Sequence, residues 1–130
     1  MLTTIAKVWG FIFLLAGILG FVPAAAPNGH LLGLFHVNGA HNFVHLLTGI
    51  VALICGYKST YASKMYFLIF GVVYGLVAIL GFVSGNNPVL GIIANNIADA
   101  WLHVGIALAS IALGLMPETT RVSTPRPSMP

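Results

Sequence analysis

Few residues of this chain could perform chemistry, and most of them fall in two short segments. His41 and His45 lie four residues apart in the first segment, and Asp99 and His103 have the same spacing in the second. Side chains four residues apart share one face of an α-helix, about 6 Å apart along its axis. Imidazoles and a carboxylate grouped in this way could bind a transition metal, bind haem or pass protons.

The two segments belong to a longer internal repeat. Residues 32–56 align with residues 90–114 without a gap, and the apolar stretches before them, residues 10–22 and 71–83, align as well. Each copy is long enough for two helices, so both copies should cross a membrane in the same sense. The alignment predicts tandem repeats related by an axis along the bilayer normal, with matching residues at equal depth.

Composition indicates that the solvent of this chain is lipid. Hydrophobic residues make up 58% of the 130 residues and charged residues only 5%, far from the averages of soluble domains. A spanning helix needs about 20 mostly apolar residues. Four stretches meet this requirement, at residues 5–22, 38–57, 65–83 and 97–116.

We therefore predict an all-α fold, a four-transmembrane-helix bundle built from two tandem parallel two-helix repeats. One membrane domain should cover residues 1–116, with repeat one at about residues 5–57 and repeat two at about residues 65–115. The polar, Pro-rich residues 117–130 are expected to form a disordered cytoplasmic tail. The lipid bilayer is the partner that this architecture requires.

The basic residues predict the orientation of the helices, because Lys and Arg near short loops favour the cytoplasmic side of a membrane. All of them lie on one side of the predicted bundle: Lys7, Lys58, Lys64, Arg121 and Arg126. Both termini of this multi-pass protein are therefore expected in the cytoplasm. Scattered cations do not form the clustered basic surface that nucleic acids require, so we expect no nucleic-acid partner.

A purely structural interpretation explains the polar residues as caps and links between helices. Asn38 and Asn96 would cap the second and fourth helices, with Asp99 at the third helical position, where a carboxylate is favourable. His45 and His103 would hydrogen-bond across the helix interface. On this interpretation the protein is structural or accessory, and it packs in a homo-oligomer or in a larger membrane complex.

Two further residues lie next to the cluster in the sequence, and we expect them to support it. Asn42 follows His41 directly, and Trp101 lies between Asp99 and His103. Trp101 also suits the aromatic belt that forms where a spanning helix meets the membrane interface.

A second interpretation is a metal or haem site with a redox or sensing role. Imidazoles four residues apart present nitrogen atoms on one helical face, and a carboxylate can complete or orient the ligand set. The candidate metal ligands are His41, His45, Asp99 and His103. Haem would instead take His45 and His103 as its axial ligands. Spacing alone does not separate a transition metal from haem.

A third interpretation is proton or solute transport, because histidine changes its charge near neutral pH. The inner halves of the second and fourth helices, residues 50–56 and 108–115, are apolar apart from Cys55 and Ser110. No polar path therefore continues across the membrane, and transport is the least favoured of the three interpretations.

The acidic residues argue against most enzyme classes. Asp99 and Glu118 are the only two in the chain. Hydrolysis and group transfer usually need paired carboxylates, or a nucleophile beside a base, and neither arrangement is present in the sequence. We therefore favour a protein that is not an enzyme, and a redox activity that depends on metal or haem is the one enzyme class left open.

The motifs VNGAHNFVHLL at residues 37–47 and NNIADAWLH at residues 95–103 resemble those of a known family of small four-helix bacterial membrane proteins. That family is described only as a domain of unknown function, and the resemblance covers about residues 6–115. The matching positions are Asn38, His41, Asn42, His45, Asp99, Trp101 and His103. The resemblance implies a protein of the bacterial cytoplasmic membrane, and it implies no substrate, cofactor or reaction.

Overall fold

A computed structural model describes residues 1–117 of the chain and contains four long helices. They are α1 Leu2–Leu19, α2 Gly39–Lys58, α3 Thr60–Ser84 and α4 Ile97–Gly114. Each is long and apolar enough to cross a membrane. The predicted all-α bundle of four spanning helices is confirmed. All but the first residue of the predicted disordered tail lies outside the described residues.

The outward faces of the helices carry large apolar side chains. Phe11 on α1, Ile69 on α3 and Leu108 on α4 are each more than half exposed. Soluble proteins rarely expose so much continuous apolar surface, whereas lipid tails are a suitable solvent for it. The chain is a multi-pass membrane protein in contact with the bilayer.

The helices associate as two pairs, because α1 packs closely on α2 and α3 packs closely on α4. A Cβ atom on Gly10 would lie 2.8 Å from the carbonyl oxygen of Gly49, and one on Gly71 would lie 3.1 Å from that of Ala107. Small residues permit this approach, which supplies much of the packing between helices in lipid. The sequence alignment pairs Gly10 with Gly71 and Gly49 with Ala107. The two contacts are therefore equivalent, and they support the predicted duplication.

Aromatic side chains fill the space between the two pairs. Trp9 and Phe13 of α1 meet Phe67, Phe70 and Tyr74 of α3 in one buried cluster. Ring centroids lie 5.3 Å apart for Phe13 and Phe70, in an edge-to-face arrangement, and 4.1 Å apart for Phe70 and Tyr74. Aromatic pairs in such geometries contribute about 0.5–1.5 kcal/mol beyond their burial.

The largest differences from the predicted helix boundaries are at the start of α3 and at both ends of α1. α3 begins at Thr60 instead of residue 65, because Ser59 both ends α2 and caps α3 with a hydroxyl that accepts from the N–H of Ala62 at 3.0 Å. Lys64 therefore lies inside α3, not at a loop boundary. α1 covers Leu2–Leu19, so it begins and ends three residues before the predicted residues 5 and 22.

The two connections at the other end of the bundle form small β-hairpins. In the first, strands β1 His30–Leu31 and β2 Phe35–His36 pair antiparallel after a 3₁₀ turn at Pro27–Gly29. In the second, Val89 and Ile93 form an isolated antiparallel bridge. We call this end of the bundle the hairpin end, and the candidate functional residues lie beneath it.

Candidate functional site

Asparagine caps fix the first turns of α2 and α4 at the hairpin end. The Asn38 side-chain oxygen accepts from the N–H of His41 at 2.9 Å, and the Asn96 oxygen accepts from that of Asp99 at 2.9 Å. The Asp99 carboxylate accepts in return from the N–H of Asn96, which completes a capping box on α4. The caps therefore hold residues 41 and 99 in equivalent places on the two helices.

The same two asparagines link the halves of the molecule. The Asn38 amide nitrogen donates to the carbonyl of Ile92 at 2.8 Å, and the Asn96 amide nitrogen donates to the carbonyl of Leu34 at 2.8 Å. Leu34 and Ile92 are paired in the sequence alignment. Each cap thus binds the hairpin of the other half, which holds the starts of α2 and α4 side by side.

Three imidazoles meet beneath these caps, and we call His41, His45 and His103 the histidine cluster. One nitrogen atom from each ring lies within 4.8 Å of the others. The exposed fractions of the three side chains are 3%, 9% and 6%. The Nε2 atoms of His41 and His45 are 3.1 Å apart.

Backbone carbonyls orient the ring of His41. Its Nδ1 donates to the carbonyl of Ala94 at 2.9 Å and to that of His36 at 3.1 Å. Carbonyl oxygens only accept, so Nδ1 carries the proton in the neutral ring and Nε2 presents a lone pair to the cluster. Metal-binding histidines are held in this way, with one nitrogen donating to a carbonyl and the other free for the ion.

The other two rings each bury an unpaired nitrogen atom. Nδ1 of His45 and Nδ1 of His103 have no hydrogen-bond partner within the described part of the chain. The structural interpretation requires a hydrogen bond between His45 and His103, and residues 1–117 contain none. The two rings instead make edge-to-face contacts with aromatic side chains. Ring centroids lie 5.4 Å apart for Phe13 and His45, and 5.2 Å apart for Tyr74 and His103. Buried unpaired polar groups cost about 1–3 kcal/mol each.

The structure does not bring the Asp99 carboxylate into the group of gathered ligand atoms. Its Oδ2 accepts from the backbone N–H of His36 at 3.0 Å and from that of Asn96 at 2.9 Å. His36 is also the residue whose carbonyl accepts from His41. Asp99 therefore positions residue 36, and residue 36 positions His41. This contribution comes from the backbone of residue 36, so the pattern of side chains in the sequence could not reveal it.

Asn42 and Trp101 lie apart from the histidine cluster. The Asn42 side chain is buried against Gly20, and its Oδ1 has no partner among the described residues. The Trp101 side chain is 64% exposed and packs edge-on against Phe82 at 5.1 Å. Their predicted support of the cluster stays a prediction.

A cavity of about 660 Å³ runs between α2 and α3 and ends at the histidine cluster. Apolar residues of both helices line most of its length, and Lys58 and Tyr61 lie at its opposite end. The walls near the cluster include Val44, Tyr74 and Ile93. The three imidazoles are therefore the polar end of a largely apolar groove.

Comparison with known families identifies the chain. A family described as a domain of unknown function (DUF4383) matches residues 3–116, which include both hairpins and all four helices except the first residue of α1. The chain belongs to this family. The membership predicted from the sequence motifs is confirmed. No curated protein and no solved structure matches the chain. The DUF4383 description carries no ligand or reaction, so the function has to be inferred from the site.

Proposed function

We propose that the protein binds a divalent transition-metal ion through the histidine cluster. The observation that carries this proposal is the convergence of three buried imidazole nitrogens within 4.8 Å of one another. Neutral imidazole suits Zn²⁺, Cu²⁺, Fe²⁺ and Ni²⁺, whereas Mg²⁺ and Ca²⁺ prefer oxygen ligands. The carbonyl-bound Nδ1 of His41 supports the same proposal, because it fixes the ring with Nε2 as the ligand atom.

The spacing of the nitrogen atoms suits a small ion. Bonds of about 2.0–2.1 Å at tetrahedral angles place ligand nitrogens roughly 3.3 Å apart. The Nε2 atoms of His41 and His45 are already 3.1 Å apart. No ligand atom of the cluster is more than 4.8 Å from another, so a closing movement of at most about 1.5 Å would complete the triangle.

The same geometry favours an ion over haem. Haem needs two ligands on opposite faces of a flat macrocycle, with open space between them. Nε2 of His45 would bind the iron of the haem. Nε2 of His41 lies 3.1 Å from this atom and occupies the space that the macrocycle needs. Three nitrogens around one point therefore support a metal ion, and they argue against His45 and His103 as an axial pair.

The structural or accessory role favoured by the sequence accounts for the caps and for the hydrogen bond between His41 and His45, but not for the convergence of His103 on these two rings. Asn38, Asn96 and Asp99 are fully engaged in holding helices and hairpins. The ring of His103 is buried beside the other two, and its Nδ1 has no partner among residues 1–117. Membrane proteins rarely keep unpaired ionisable groups in a span without a functional reason.

We further propose that the cluster lies near the outer face of a bacterial cytoplasmic membrane, with both termini in the cytoplasm. Lys7, Lys58 and Lys64 all lie at the end of the bundle opposite the hairpins. Positive charge at one end favours that end in the cytoplasm. The family resemblance supports the bacterial location.

Metal analysis of the full chain purified in mild detergent tests the metal proposal. We expect about one transition-metal ion per chain by mass spectrometry, and saturable binding of Zn²⁺ or Co²⁺ to protein stripped with a chelator. His45→Gln and His103→Gln should each weaken the affinity by at least about 100-fold, because each removes a ligand. His30→Gln is the matched control, since His30 stacks on His36 in the first hairpin and lies outside the cluster. Wild-type protein that binds no more metal than His103→Gln would contradict the proposal.

A further inference from the structure

The turns of the two hairpins place a leucine where the backbone favours asparagine or glycine. The φ angles of Leu32 and Gly33 are +54° and +71°, and those of Leu90 and Gly91 are +52° and +73°. Positive φ at both central residues is typical of a type I′ turn, in which asparagine followed by glycine is a usual pair. Leucine is strained in this conformation, because its Cβ atom crowds the carbonyl oxygen that follows. Both copies of the repeat nevertheless place leucine there.

The turns also present apolar side chains on the outside of the molecule. Leu32, Leu34, Leu90 and Ile92 are each more than half exposed, and we call these four side chains the hairpin tips. The sequence alignment pairs 32 with 90 and 34 with 92, so the two halves present matching surfaces. Exposed apolar side chains on a strained turn are unfavourable in water, whereas a lipid environment would favour them.

The lengths of the helices place the hairpins near the edge of the hydrocarbon core. α1 and α4 have 18 residues each and α2 has 20, so these helices are about 27 Å and about 30 Å long. The hydrocarbon core is about 30 Å thick, and the head groups extend beyond it on both sides. Lys58 is the last residue of α2, and its charge keeps that end of the helix at the opposite interface. The hairpins therefore lie at the level of the lipid head groups and not in bulk water.

The backbone of each turn is suited to a medium without water. The N–H groups of residues 32–34 donate to carbonyls of the protein at 2.8 to 3.1 Å, and those of residues 91–93 do so at 3.1 Å. The carbonyls of Leu34 and Ile92 accept from the asparagine caps of α4 and α2. Backbone polar groups in lipid need partners of this kind, because no water is present to replace them. These bonds allow the turns to enter the edge of the hydrocarbon core.

The charge and the surface of the hairpin end also favour contact with lipid. Residues 8–57 and 65–98, which include both hairpins, contain no Lys, Arg, Asp or Glu. The Leu34 carbonyl binds Asn96, and the next residue, Ile97, is exposed at the start of α4, as is Trp101 one turn later. The apolar surface of the spanning helix therefore continues onto the hairpin tip.

From these observations we infer that the hairpin tips insert into the lipid leaflet at their end of the bundle and anchor that end. Their side chains reach the acyl chains beneath the phosphates, while Asn86, exposed ahead of the second hairpin, stays among the head groups. Because the hairpins bind the caps of α2 and α4, the anchors also fix the depth of the histidine cluster. This inference does not depend on a metal ion at that cluster.

Spin labelling of the full chain in phosphatidylcholine vesicles tests the insertion. In a Cys55→Ala background, Leu32→Cys and Leu90→Cys each carry a nitroxide label. Collisions of the label with oxygen, which concentrates in lipid, and with chromium oxalate, which stays in water, report its depth. We expect both labels about 5–10 Å below the lipid phosphates, the depth usual for apolar side chains that insert from an interface.

Asn86→Cys is the matched control, because Asn86 is an exposed residue of the same connection as Leu90. Its label should lie at or above the phosphates. Leu34→Cys and Ile92→Cys repeat the measurement where φ is not positive, so a defect of the strained turn would not decide the result. Labels at all four tip positions that lie no deeper than the label of Asn86→Cys would overturn the inference. Tip labels that leave the water only after a second protein is added would overturn it as well, in favour of a protein partner.

Discussion

Two side chains at positions that the sequence alignment pairs make equivalent links between the halves of the molecule, and one of them also joins the histidine cluster. His41 donates to the carbonyl of Ala94, and Asp99 accepts from the N–H of His36. Residues 36 and 94 are paired in the sequence alignment, as residues 41 and 99 are. Both side chains therefore tie a helix to the hairpin of the other half. The histidine does this with one nitrogen and keeps the second for the cluster.

Asp99→Asn tests whether this carboxylate positions the cluster from a distance. An amide of the same shape keeps an oxygen acceptor but loses the charge that strengthens both bonds, which are worth about 1.5–3 kcal/mol each when an ionised group takes part. We expect a lower melting temperature in detergent and a metal affinity reduced by about 10-fold to 100-fold, because the carbonyl of His36 would no longer be held against His41.

The control for Asp99→Asn is Asn86→Asp, the reverse exchange at an exposed position in the second connection. It should change neither the melting temperature nor the metal affinity. A metal affinity unchanged by Asp99→Asn would show that Asp99 serves only as a helix cap. In that case the link through residue 36 would carry no function.

At this scale the sequence was informative about side chains and uninformative about backbone contacts. Spacing and alignment together singled out His41, His45 and His103, because identical depth and a common face follow from helix geometry. The place of the Asp99 carboxylate depends on a backbone N–H 63 positions away in the chain. A repeating pattern of residue types does not reveal a hydrogen bond of that kind. The sequence therefore could not distinguish the proposed ligands, the three histidines, from the positioning residue Asp99.

Among the elements, the contact between α3 and α4 depends on glycine where the two backbones are closest. A Cβ atom on Gly71 would lie 2.6 Å from Cγ1 of Ile111 and 3.0 Å from its backbone nitrogen. At Gly75, one helical turn later, the nearest atom would be the Cβ of Ala107 at 3.9 Å. α3 and α4 are thus tightly packed at Gly71 and leave open space at Gly75, although both glycines look alike in the sequence.

Gly71→Ala and Gly75→Ala form a matched pair for this contact. Gly71→Ala should destabilise the protein by about 1–3 kcal/mol, because the added methyl group forces α3 and α4 apart. Gly75→Ala should be neutral or slightly stabilising, since alanine favours the helix and the space is open. Thermal melts in detergent compare the two. Equal melting temperatures would show that the tight approach at Gly71 does not limit stability.

The elements themselves were predictable where local chemistry defines them. Asn38 and Asn96 cap α2 and α4 and begin these helices within one residue of the predicted starts. The start of α3 was misplaced because the polar residues 58–64 suggested a loop, whereas Ser59 alone makes the turn. The hairpins have strands too short for any alternation of polar and apolar residues to show, so their pairing could not be predicted.

For the whole molecule, the helices pack closely within each pair, and a groove remains between the pairs. α1 packs along α2 and α3 along α4, while aromatic side chains join the pairs mainly between α1 and α3. The groove lies between α2 and α3. Because the caps of α2 and α4 each bind the hairpin of the other half, the pairs are held together at the end where the histidines meet. The position of the groove depends on how the two helix pairs pack against each other. Residue patterns within one helix do not determine this packing.

The orientation of the molecule decides from which side of the membrane the cluster is reached, and cysteine labelling can test it. In a Cys55→Ala background, Asn86→Cys places a thiol in the exposed second connection, and Tyr61→Cys places one at the opposite end, where Tyr61 is 68% exposed. The Lys residues near Tyr61 favour the cytoplasmic side for that end. A maleimide that does not cross membranes should therefore label Asn86→Cys in intact cells and Tyr61→Cys only after permeabilisation. The reverse pattern would place the hairpin end inside, and any exchange of metal at the cluster would then be with the cytoplasm.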